Sequence, residues 1–312
     1  MRVVFMGTPE FAVSSLEYLV LNEYQVVAVY TRPDKPAGRG GLLIHSPVKK
    51  AALAWNLPVV QVPSMKDGGA VARLADYHPD VIIVAAFGQI LPQSVLELPG
   101  CGCINIHPSL LPRYRGASPI PSAILSGDKF TGVSIMLMDS GLDTGPVLSQ
   151  AAISIASWDN TGSLTMKLSR LAPRLLTETL VYWLREEILP RPQNEDEATL
   201  CGQITKKDGE INWNLPAIDI WRRVRAFNPW PGCYTFWEGK QLKIIEALPL
   251  NGEEISGEGQ VVVWDRDEAA FGVNTGDGIL GVVEVQLEGK REMSAVEFLR
   301  GQREFVGSVL PG

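Results

Sequence analysis

Three polar side chains, those of Asn105, His107 and Asp143, are the strongest candidates for chemistry in this sequence. Asn105 and His107 lie two residues apart in the segment Cys-Ile-Asn-Ile-His, which is predicted to be a β-strand, so both point to the same face. Pro108 and Pro112 then end regular structure, which places both side chains near the carboxyl end of the strand. Ligands of open α/β sheets bind at that edge.

Asp143 lies in the segment Asp-Ser-Gly-Leu-Asp-Thr-Gly, residues 139–145, directly after a second predicted strand. The glycines allow this chain to turn sharply and to approach a substrate. An amide, an imidazole and a carboxylate that converge at one sheet edge suit acyl transfer to an amine. Asn105 and a protonated His107 would stabilise an oxyanion, while Asp143 would orient the imidazole, favour its charged form and relay the amine proton. Because an amine attacks directly, no serine or cysteine nucleophile is required.

Each of these residues has a plainer interpretation when it is taken alone. A single histidine after a strand is more often a hydrogen-bonded core or surface residue, and Asp143 alone is typical of a turn. The four cysteines, Cys101, Cys103, Cys201 and Cys233, have no zinc-ligand spacing and are predicted to be buried thiols. The combination of amide, imidazole and carboxylate therefore carries the functional hypothesis, and no metal site is predicted.

The composition is that of a globular protein. The chain has 312 residues, of which 46% are hydrophobic and 20% charged, so it can bury a sizeable core and is long enough for two domains. Its apolar runs fall well short of the roughly 20 residues that cross a bilayer. A strand pattern starts at the second residue, so we expect no leader peptide, a cytoplasmic location and, by default, a monomer.

Alternating strand and helix patterns in the first half predict a mostly parallel sheet. Buried-strand patterns occur at residues 2–6, 25–31, 81–87, 103–106, 132–138 and 147–155. Helical patterns occur at residues 9–22, 47–55, 67–77 and 161–187. Because continuous apolar strands that alternate with helices form parallel sheets covered on both faces, we predict a Rossmann-like α/β domain.

The pattern changes after a stretch that is rich in proline and charge. Residues 189–205 suit an exposed linker, which places one domain at 1–188 and a second domain at 206–312. In this second domain helices are predicted at 217–227 and 294–300. Short strands are predicted at residues 234–237, 242–248, 260–264 and 281–287. Strands of this length, separated by glycine and asparagine turns, predict a small, OB-like β-barrel.

The segment Asn-Ile-His-Pro-Ser-Leu-Leu-Pro, residues 105–112, followed by Gly-Leu-Asp-Thr-Gly at 141–145, closely resembles the formyltetrahydrofolate-dependent formyltransferase superfamily. The resemblance implies that 10-formyltetrahydrofolate is the formyl donor and co-substrate, that no metal takes part, and that Asn105, His107 and Asp143 are the catalytic residues. It also implies a folate site lined by Phe87, Gly88, Ile90, Leu91, Ser109, Leu110, Leu111 and Pro112.

Further segments resemble the members of the superfamily that formylate methionyl-tRNA. They are Phe-Met-Gly-Thr-Pro-Glu-Phe-Ala at 5–12, Thr-Arg-Pro-Asp-Lys-Pro-Ala-Gly-Arg-Gly at 31–40 and Phe-Asn-Pro-Trp-Pro-Gly at 227–232. The resemblance implies transfer of a formyl group to the amino group of initiator methionyl-tRNA, which gives the N-formylmethionyl-tRNA of translation initiation. The predicted contacts to this substrate are Phe11, Lys35, Arg39, Lys206, Arg222 and Arg225.

Basic charge is distributed unevenly along the chain. Residues 31–50 carry five basic side chains against one acidic, and this glycine- and proline-punctuated loop suits a tRNA acceptor stem. Residues 206–312 carry 12 basic side chains against 17 acidic ones. Because phosphate contacts need basic surface, any tRNA contact of the second domain is expected to be a local stripe.

Alternatives remain at this point. A formyltransferase acting on a nucleotide amino-sugar or other small amine, or the hydrolase half of a formyltetrahydrofolate dehydrogenase, would share Asn105, His107 and Asp143, but the basic loop and the second domain favour tRNA. A nicotinamide-dependent dehydrogenase needs a glycine-rich phosphate turn, whereas the first strand ends Gly-Thr-Pro-Glu-Phe. A catalytically inactive RNA-binding protein would tolerate alanine at all three candidate catalytic positions.

Overall fold

The first-half strands are covered on both faces, as their continuous apolar runs predict. Every residue of Val81–Ala85 and of Cys103–His107 is buried, which is the pattern of central strands between two layers of helices. The structure, a computed structural model, describes residues 1–37, 42–250, 257–266 and 269–312.

The elements up to residue 201 follow the alternating order that the sequence predicts. The strands are β1 (Arg2–Gly7), β2 (Gln25–Thr31), β3 (Lys35–Ala37), β4 (Leu42–Ile44), β5 (Val59–Gln61), β6 (Val81–Ala85), β7 (Cys103–His107), β8 (Arg115–Gly116), β9 (Phe130–Leu137), β10 (Val147–Ser154) and β11 (Leu200–Cys201). The helices are α1 (Val13–Leu21), α2 (Pro47–Ala54), α3 (Gly68–Ala75), α4 (Gln93–Leu96), α5 (Pro119–Leu125) and α6 (Thr161–Leu184).

Seven of these strands form one sheet, in the order β10-β9-β7-β6-β1-β2-β5. The five neighbouring strands β7, β6, β1, β2 and β5 are parallel. Strand β9 runs antiparallel to β7, and β10 runs antiparallel to β9. A buried apolar cluster that includes Tyr30, Leu74 and Ile82 packs beneath α3 and α4. The predicted mostly parallel, Rossmann-like sheet is therefore confirmed.

The elements after residue 201 are α7 (Ala217–Ala226), α8 (Ala295–Gly301) and the strands β12 (Cys233–Trp237), β13 (Lys240–Leu250), β14 (Val261–Arg266), β15 (Ala269–Asn274), β16 (Ile279–Leu287) and β17 (Met293–Ser294). They form an antiparallel sheet in the order β12-β13-β16-β15-β14, with β17 added to β16. Its core holds a cluster of four rings, those of Trp237, Phe271, Phe298 and Phe305, which pack mostly edge to face with centroids 4.9–6.4 Å apart. The predicted small, OB-like β-barrel of short strands with two helices corresponds to this antiparallel sheet with α7 and α8.

The chain divides into two compact units, and the division differs from the predicted domain limits. The first unit comprises residues 1–119, 130–154 and 165–201, and the second comprises 120–129, 155–164 and 202–312. Residues 189–201, which the sequence predicts to be part of a linker, therefore pack within the first unit. Hydrogen bonds that join Gln193, Thr199 and Cys201 to residues 114, 143 and 145 of the first unit hold this segment there.

Helix α6 continues through Pro173, although proline has no amide hydrogen to donate within a helix. The carbonyl that would receive this missing bond belongs to Ser169. The hydroxyl of Ser14 on α1 donates to that carbonyl at 2.6 Å and takes the place of the lost partner. Within the part of the chain that is described, no helix has the length and apolar character that crossing a membrane requires.

Replacing Ser14→Ala should lower the free energy of unfolding by about 1 kcal/mol, because the Ser169 carbonyl is then left without a donor. Urea titration followed by circular dichroism measures the loss. In a Pro173→Ala background the same change should cost little, because an alanine amide at 173 can donate to Ser169. Equal costs in the two backgrounds would contradict this explanation.

Candidate active site

The side chains of Asn105 and His107 project from the last residues of β7, on one face of the sheet. Both are buried, with 8% and 4% of their surface exposed. The loop that carries Asp143 does not start at the same sheet edge, because β9 is antiparallel to β7 and the amide of Met138 donates to the Cys103 carbonyl at 2.8 Å. The loop instead folds back over the face that carries both β7 side chains.

One carboxylate connects the three residues that the sequence singled out. Oδ1 of Asp143 accepts a hydrogen bond from Nδ2 of Asn105 at 3.2 Å, and Oδ2 accepts one from the backbone amide of Gly116 at 2.9 Å. Nδ1 of His107 lies 3.6 Å from the same Oδ2. The Asp143 carboxylate therefore contacts both the Asn105 amide and the His107 imidazole.

The hydrogen bonds of His107 settle which of its nitrogens carries the proton. Nε2 lies 2.9 Å from the carbonyl oxygen of Tyr114, which can only accept, so Nε2 donates. Burial lowers the pKa of His107, and this effect outweighs the Asp143 carboxylate and the Tyr114 carbonyl, which both raise it. The lowered pKa favours a neutral resting ring, with the proton on Nε2 and with Nδ1 facing Asp143.

Asp143 holds this position in a left-handed backbone conformation, with φ of +54°. Such a conformation is costly for a residue with a side chain and persists where neighbours fix it. Here the neighbours include the side chain of Gln193, whose Nε2 donates to the carbonyls of Asp143 at 2.8 Å and Gly145 at 2.7 Å.

Sequence reasoning missed four contributors to this geometry. Tyr114 and Gly116 act through their backbones, which leave no mark in a residue pattern. Arg115 and Gln193 act through side chains, but they stand in stretches of charge and proline that predict only exposed chain. The signal that was available is the Arg-Tyr-Arg-Gly tail of the motif at 113–116, directly after the predicted folate segment.

The residues predicted to line a folate site fall into buried and open groups. Phe87 and Leu91 are buried in the core cluster and support the segment from within. Ile90 leaves 74% of its surface exposed, beyond the carboxyl end of β6. The carbonyl of Gly88 accepts a hydrogen bond from Arg32, and Gly88 has φ of +72°. Because β6 and β7 are adjacent and parallel, Ile90 follows the strand next to the one that ends at His107.

The second part of the predicted folate site, residues 109–112, is fastened to β9. The hydroxyl of Ser134 donates to the Ser109 carbonyl at 2.6 Å and accepts from the Leu111 amide at 3.0 Å. Ser109 is itself fully buried, with its hydroxyl donating to the Arg113 carbonyl, and Leu111 is 5% exposed. Leu110 and Pro112 are only partly buried and are the members of this segment that keep accessible surface.

The residues predicted to contact tRNA are spread over several elements. Arg39 and the side chain of Lys35 lie outside the described residues. Phe11 is 5% exposed, and Lys206 is exposed.

Helix α7 carries Arg222 and Arg225, and both make internal contacts. Arg222 pairs with Asp219 at 3.0 Å. Arg225 donates to the carbonyls of Asp159 at 2.8 Å and Ala156 at 2.9 Å, and its guanidinium stacks 4.3 Å from the ring centre of Trp221. The donors of Arg225 are therefore partly committed within the second unit.

The ends of the basic loop are tied together by Asp34. Its Oδ2 accepts from Lys49 at 2.5 Å and lies 3.0 Å from Nδ1 of His45, and its Oδ1 accepts from Gln61 at 2.9 Å. The bonds from Lys49 and then Gln61 lower the pKa of Asp34. Gln61 also donates to the Arg32 carbonyl, so both ends of the loop are held to β5.

The cysteines and the acidic groups show no sign of metal ligation among the residues that the structure covers. All four cysteines are free thiols, and burial raises the pKa of Cys103 and of Cys233 to about 12. The described ranges contain no group of three or more His, Cys, Asp or Glu side chains that could hold a metal ion.

Comparison with known proteins assigns the chain to a family. Residues 1–180 match the family described as formyl transferase, and residues 203–303 match formyl transferase, C-terminal domain. The chain belongs to the formyl transferase family. A methionyl-tRNA formyltransferase from Dehalococcoides mccartyi is 48% identical over 309 residues, which cover 98% of this chain and 97% of that protein.

Solved structures share the formyl transferase fold at lower sequence identity. HypX from Aquifex aeolicus in complex with tetrahydrofolic acid has a TM-score of 0.63 at 20% identity and covers 98% of this chain and 48% of that one. A methionyl-tRNA formyltransferase from Clostridium thermocellum has a TM-score of 0.57 at 18% identity, over 81% of this chain and 95% of that one. At these identities the likeness concerns the fold alone.

We expect His107 to titrate below its ordinary pKa of 6.5, and Asp143→Asn to lower the pKa further, because the carboxylate raises it. Since the unfolded chain takes up the proton first, stability should fall as the pH drops below about 6.5. Nitrogen–proton correlation spectra of the three histidines measure the titration, with His45→Gln and His78→Gln for assignment. A rise in the pKa of His107 on Asp143→Asn would contradict the arrangement described.

Proposed function

We propose that this formyl transferase family member moves the formyl group of 10-formyltetrahydrofolate to the free amino group of initiator methionyl-tRNA. The observation that carries the proposal is the Asp143 carboxylate, bonded to Asn105 and facing the unprotonated Nδ1 of His107. Support for the acceptor comes from the 48% identical relative, which is named a methionyl-tRNA formyltransferase and aligns over nearly the whole chain. Because translation initiation takes place in the cytoplasm, we propose a cytoplasmic location. We also propose that the protein is a monomer.

Asp143 and His107 form the proton-accepting pair in this proposal. The pair takes the proton that the amine loses as its nitrogen bonds to the formyl carbon, and returns it to the N10 nitrogen as the donor's carbon–nitrogen bond breaks. The 3.6 Å separation between Nδ1 and Oδ2 fits this role, because it is too long for a direct hydrogen bond and leaves both atoms able to receive a proton. No covalent intermediate on the protein is required.

Asn105 is the proposed donor to the oxyanion. Its Nδ2 carries two hydrogens, and one of them is bonded to Asp143, which fixes the plane of the amide. The second hydrogen is then already oriented towards the place where the formyl oxygen gains negative charge, so the amide need not rearrange during the reaction. Once the pair has accepted the amine proton, a transiently charged His107 adds to the same stabilisation.

The described folate residues fit a flat heterocycle with an extended tail. Ile90, which is largely exposed, offers an apolar surface beyond β6, while buried Phe87 and Leu91 hold its segment in place. The hydrogen bond from Arg32 to Gly88 fixes the same segment to the start of the basic loop. Residues 109–112 would supply the second wall, beside the end of β7.

Arg39 and Lys35 are the proposed main contacts to the tRNA acceptor stem, on the strength of the basic loop that carries them and of the Asp34 network that holds its ends. Exposed Lys206 and partly exposed Arg222 are proposed to add phosphate contacts, whereas Arg225 contributes less because its donors are engaged. Phe11 is proposed to shape the methionyl site from below the surface. We propose 1–188 as the catalytic domain and 206–312 as the tRNA-binding domain; of the proposed linker 189–205, residues 189–201 pack within the first unit.

Formyl transfer from 10-formyltetrahydrofolate to charged initiator methionyl-tRNA tests the proposal directly, with uncharged and elongator tRNA as controls and a nucleotide amino-sugar as a competing acceptor. Rapid formylation of the charged initiator species supports it. Binding of the donor without transfer to tRNA would reject the acceptor, and transfer to the amino-sugar would replace it.

Asn105→Ala should lower kcat about 100- to 1,000-fold, the usual cost of one oxyanion donor, with little change in KM for either substrate. Steady-state formylation kinetics measure both constants. Asn22→Ala removes an exposed asparagine whose side chain, in the described structure, donates to the Tyr18 carbonyl of its own helix, and it should leave both constants unchanged. An Asn105→Ala variant that retains wild-type kcat would exclude this role.

A further inference from the structure

The segment after helix α6, residues 191–201, is bonded along its length to the candidate active site rather than running free. We call it the strap. It begins with a two-way backbone pairing between Arg191 and Val147, at 2.9 Å in both directions. It ends with the parallel pairing of β11 against β8, in which Leu200 lies opposite Arg115 and Cys201 opposite Gly116. All of these residues belong to the first unit.

Gln193 reaches from the strap to the loop that carries the candidate catalytic carboxylate. Its Nε2 uses both hydrogens on that loop, one on the Asp143 carbonyl and one on the Gly145 carbonyl. A single side-chain amide thus spans the residue in the left-handed conformation and the glycine two positions on. Fixing both carbonyls fixes the 143–144 and 145–146 peptide planes and limits rotation of the loop.

Arg115 determines which way the Gln193 amide points. Nε of Arg115 donates to Oε1 of Gln193 at 3.0 Å, so the oxygen of the amide is held on the arginine and its NH2 group is turned to the loop. Arg115 is in turn fixed by a two-bond pairing with Glu195, at 2.7 and 2.9 Å. Its guanidinium is buried, with 5% of the side chain exposed, so this orientation has little freedom.

The strap also reaches the other side of the candidate site. The hydroxyl of Thr199 accepts from the Tyr114 amide at 2.8 Å, and the thiol of Cys201 donates to the Tyr114 carbonyl at 3.4 Å. That carbonyl is the acceptor for Nε2 of His107. The same short segment therefore holds the loop that presents Asp143 and the residue that orients His107.

We propose that Gln193, oriented by Arg115, is a positioning residue for formyl transfer: it holds the backbone of the Asp143 loop so that the carboxylate faces Asn105 and His107. Gln193 touches no reacting atom in this proposal and acts only through Asp143. The proposal rests on the proposed function for its kinetic test, while a spectroscopic test examines the positioning itself.

Gln193→Ala should lower kcat by up to about 100-fold, because a displacement of about 1 Å in a catalytic group has effects of that size. The KM values for 10-formyltetrahydrofolate and methionyl-tRNA should change less than about twofold. Gln193→Glu, which keeps the shape but cannot donate to either carbonyl, should behave like Gln193→Ala. Asn194→Ala is the matched control, since in the described structure the Asn194 side chain accepts from the Asp196 amide of the strap itself, and kcat should be unchanged.

Coupling to Asp143 separates positioning from a general loss of stability. In an Asp143→Asn background, Gln193→Ala should lower kcat no further than about twofold, because the group it positions has lost its charge. Independent, multiplying effects of the two substitutions, or an equal loss of kcat in Asn194→Ala, would overturn the proposal and leave Gln193 as a structural contact.

The pKa of His107 gives a readout that does not depend on the acceptor. Gln193→Ala should lower this pKa, in the same direction as Asp143→Asn, because the carboxylate that raises it has moved away. An unchanged pKa of His107 in a folded Gln193→Ala variant would overturn the proposal. If the wild-type chain fails to formylate methionyl-tRNA, the proposed function fails, whereas the spectroscopic result still decides the role of Gln193.

Discussion

The carboxylate of Asp143 is the interaction on which the candidate site depends. One oxygen accepts from the Asn105 side-chain amide and the other from the backbone amide of Gly116. The second oxygen also faces Nδ1 of His107 at 3.6 Å, so either atom can accept a proton. Its own backbone is in a conformation that few residues with side chains adopt, so the position must be maintained by the surroundings. The arrangement therefore places strain at the residue with the most partners.

His107 is buried at the end of a central strand, and this burial determines how readily its ring takes up a proton. A ring at the end of a central strand loses solvent on all sides, and desolvation disfavours its charged form more than one carboxylate can restore it. The Tyr114 carbonyl then fixes the tautomer. A neutral imidazole with its free nitrogen beside a carboxylate is prepared to receive a proton, which is what attack by an amine requires.

The sequence predicted the elements whose patterns are long and regular. Strands such as β6 and β7 are continuous apolar runs, and their positions were predicted from that pattern. Strand β5 has three residues and β15 contains glycine, so neither has enough periodicity to be found. The three candidate catalytic residues were found through their motifs, but their partners Tyr114, Arg115 and Gln193 were not, because those contacts join segments far apart in sequence. The burial of His107, which lowers its pKa, was likewise not predicted, because it depends on what packs over the strand.

The pairing of β8 with β11 also limits how proteins of this architecture can exchange parts. The family match of the first domain ends at residue 180, but the hydrogen bonds that complete its site continue to Cys201. A gene fusion that joined a new acceptor-recognition domain at residue 180 would discard those bonds, whereas one made after Cys201 would keep them. Recombination between members of this family should thus preserve the eleven-residue strap together with the catalytic half. The position that tolerates such an exchange is expected to lie after Cys201.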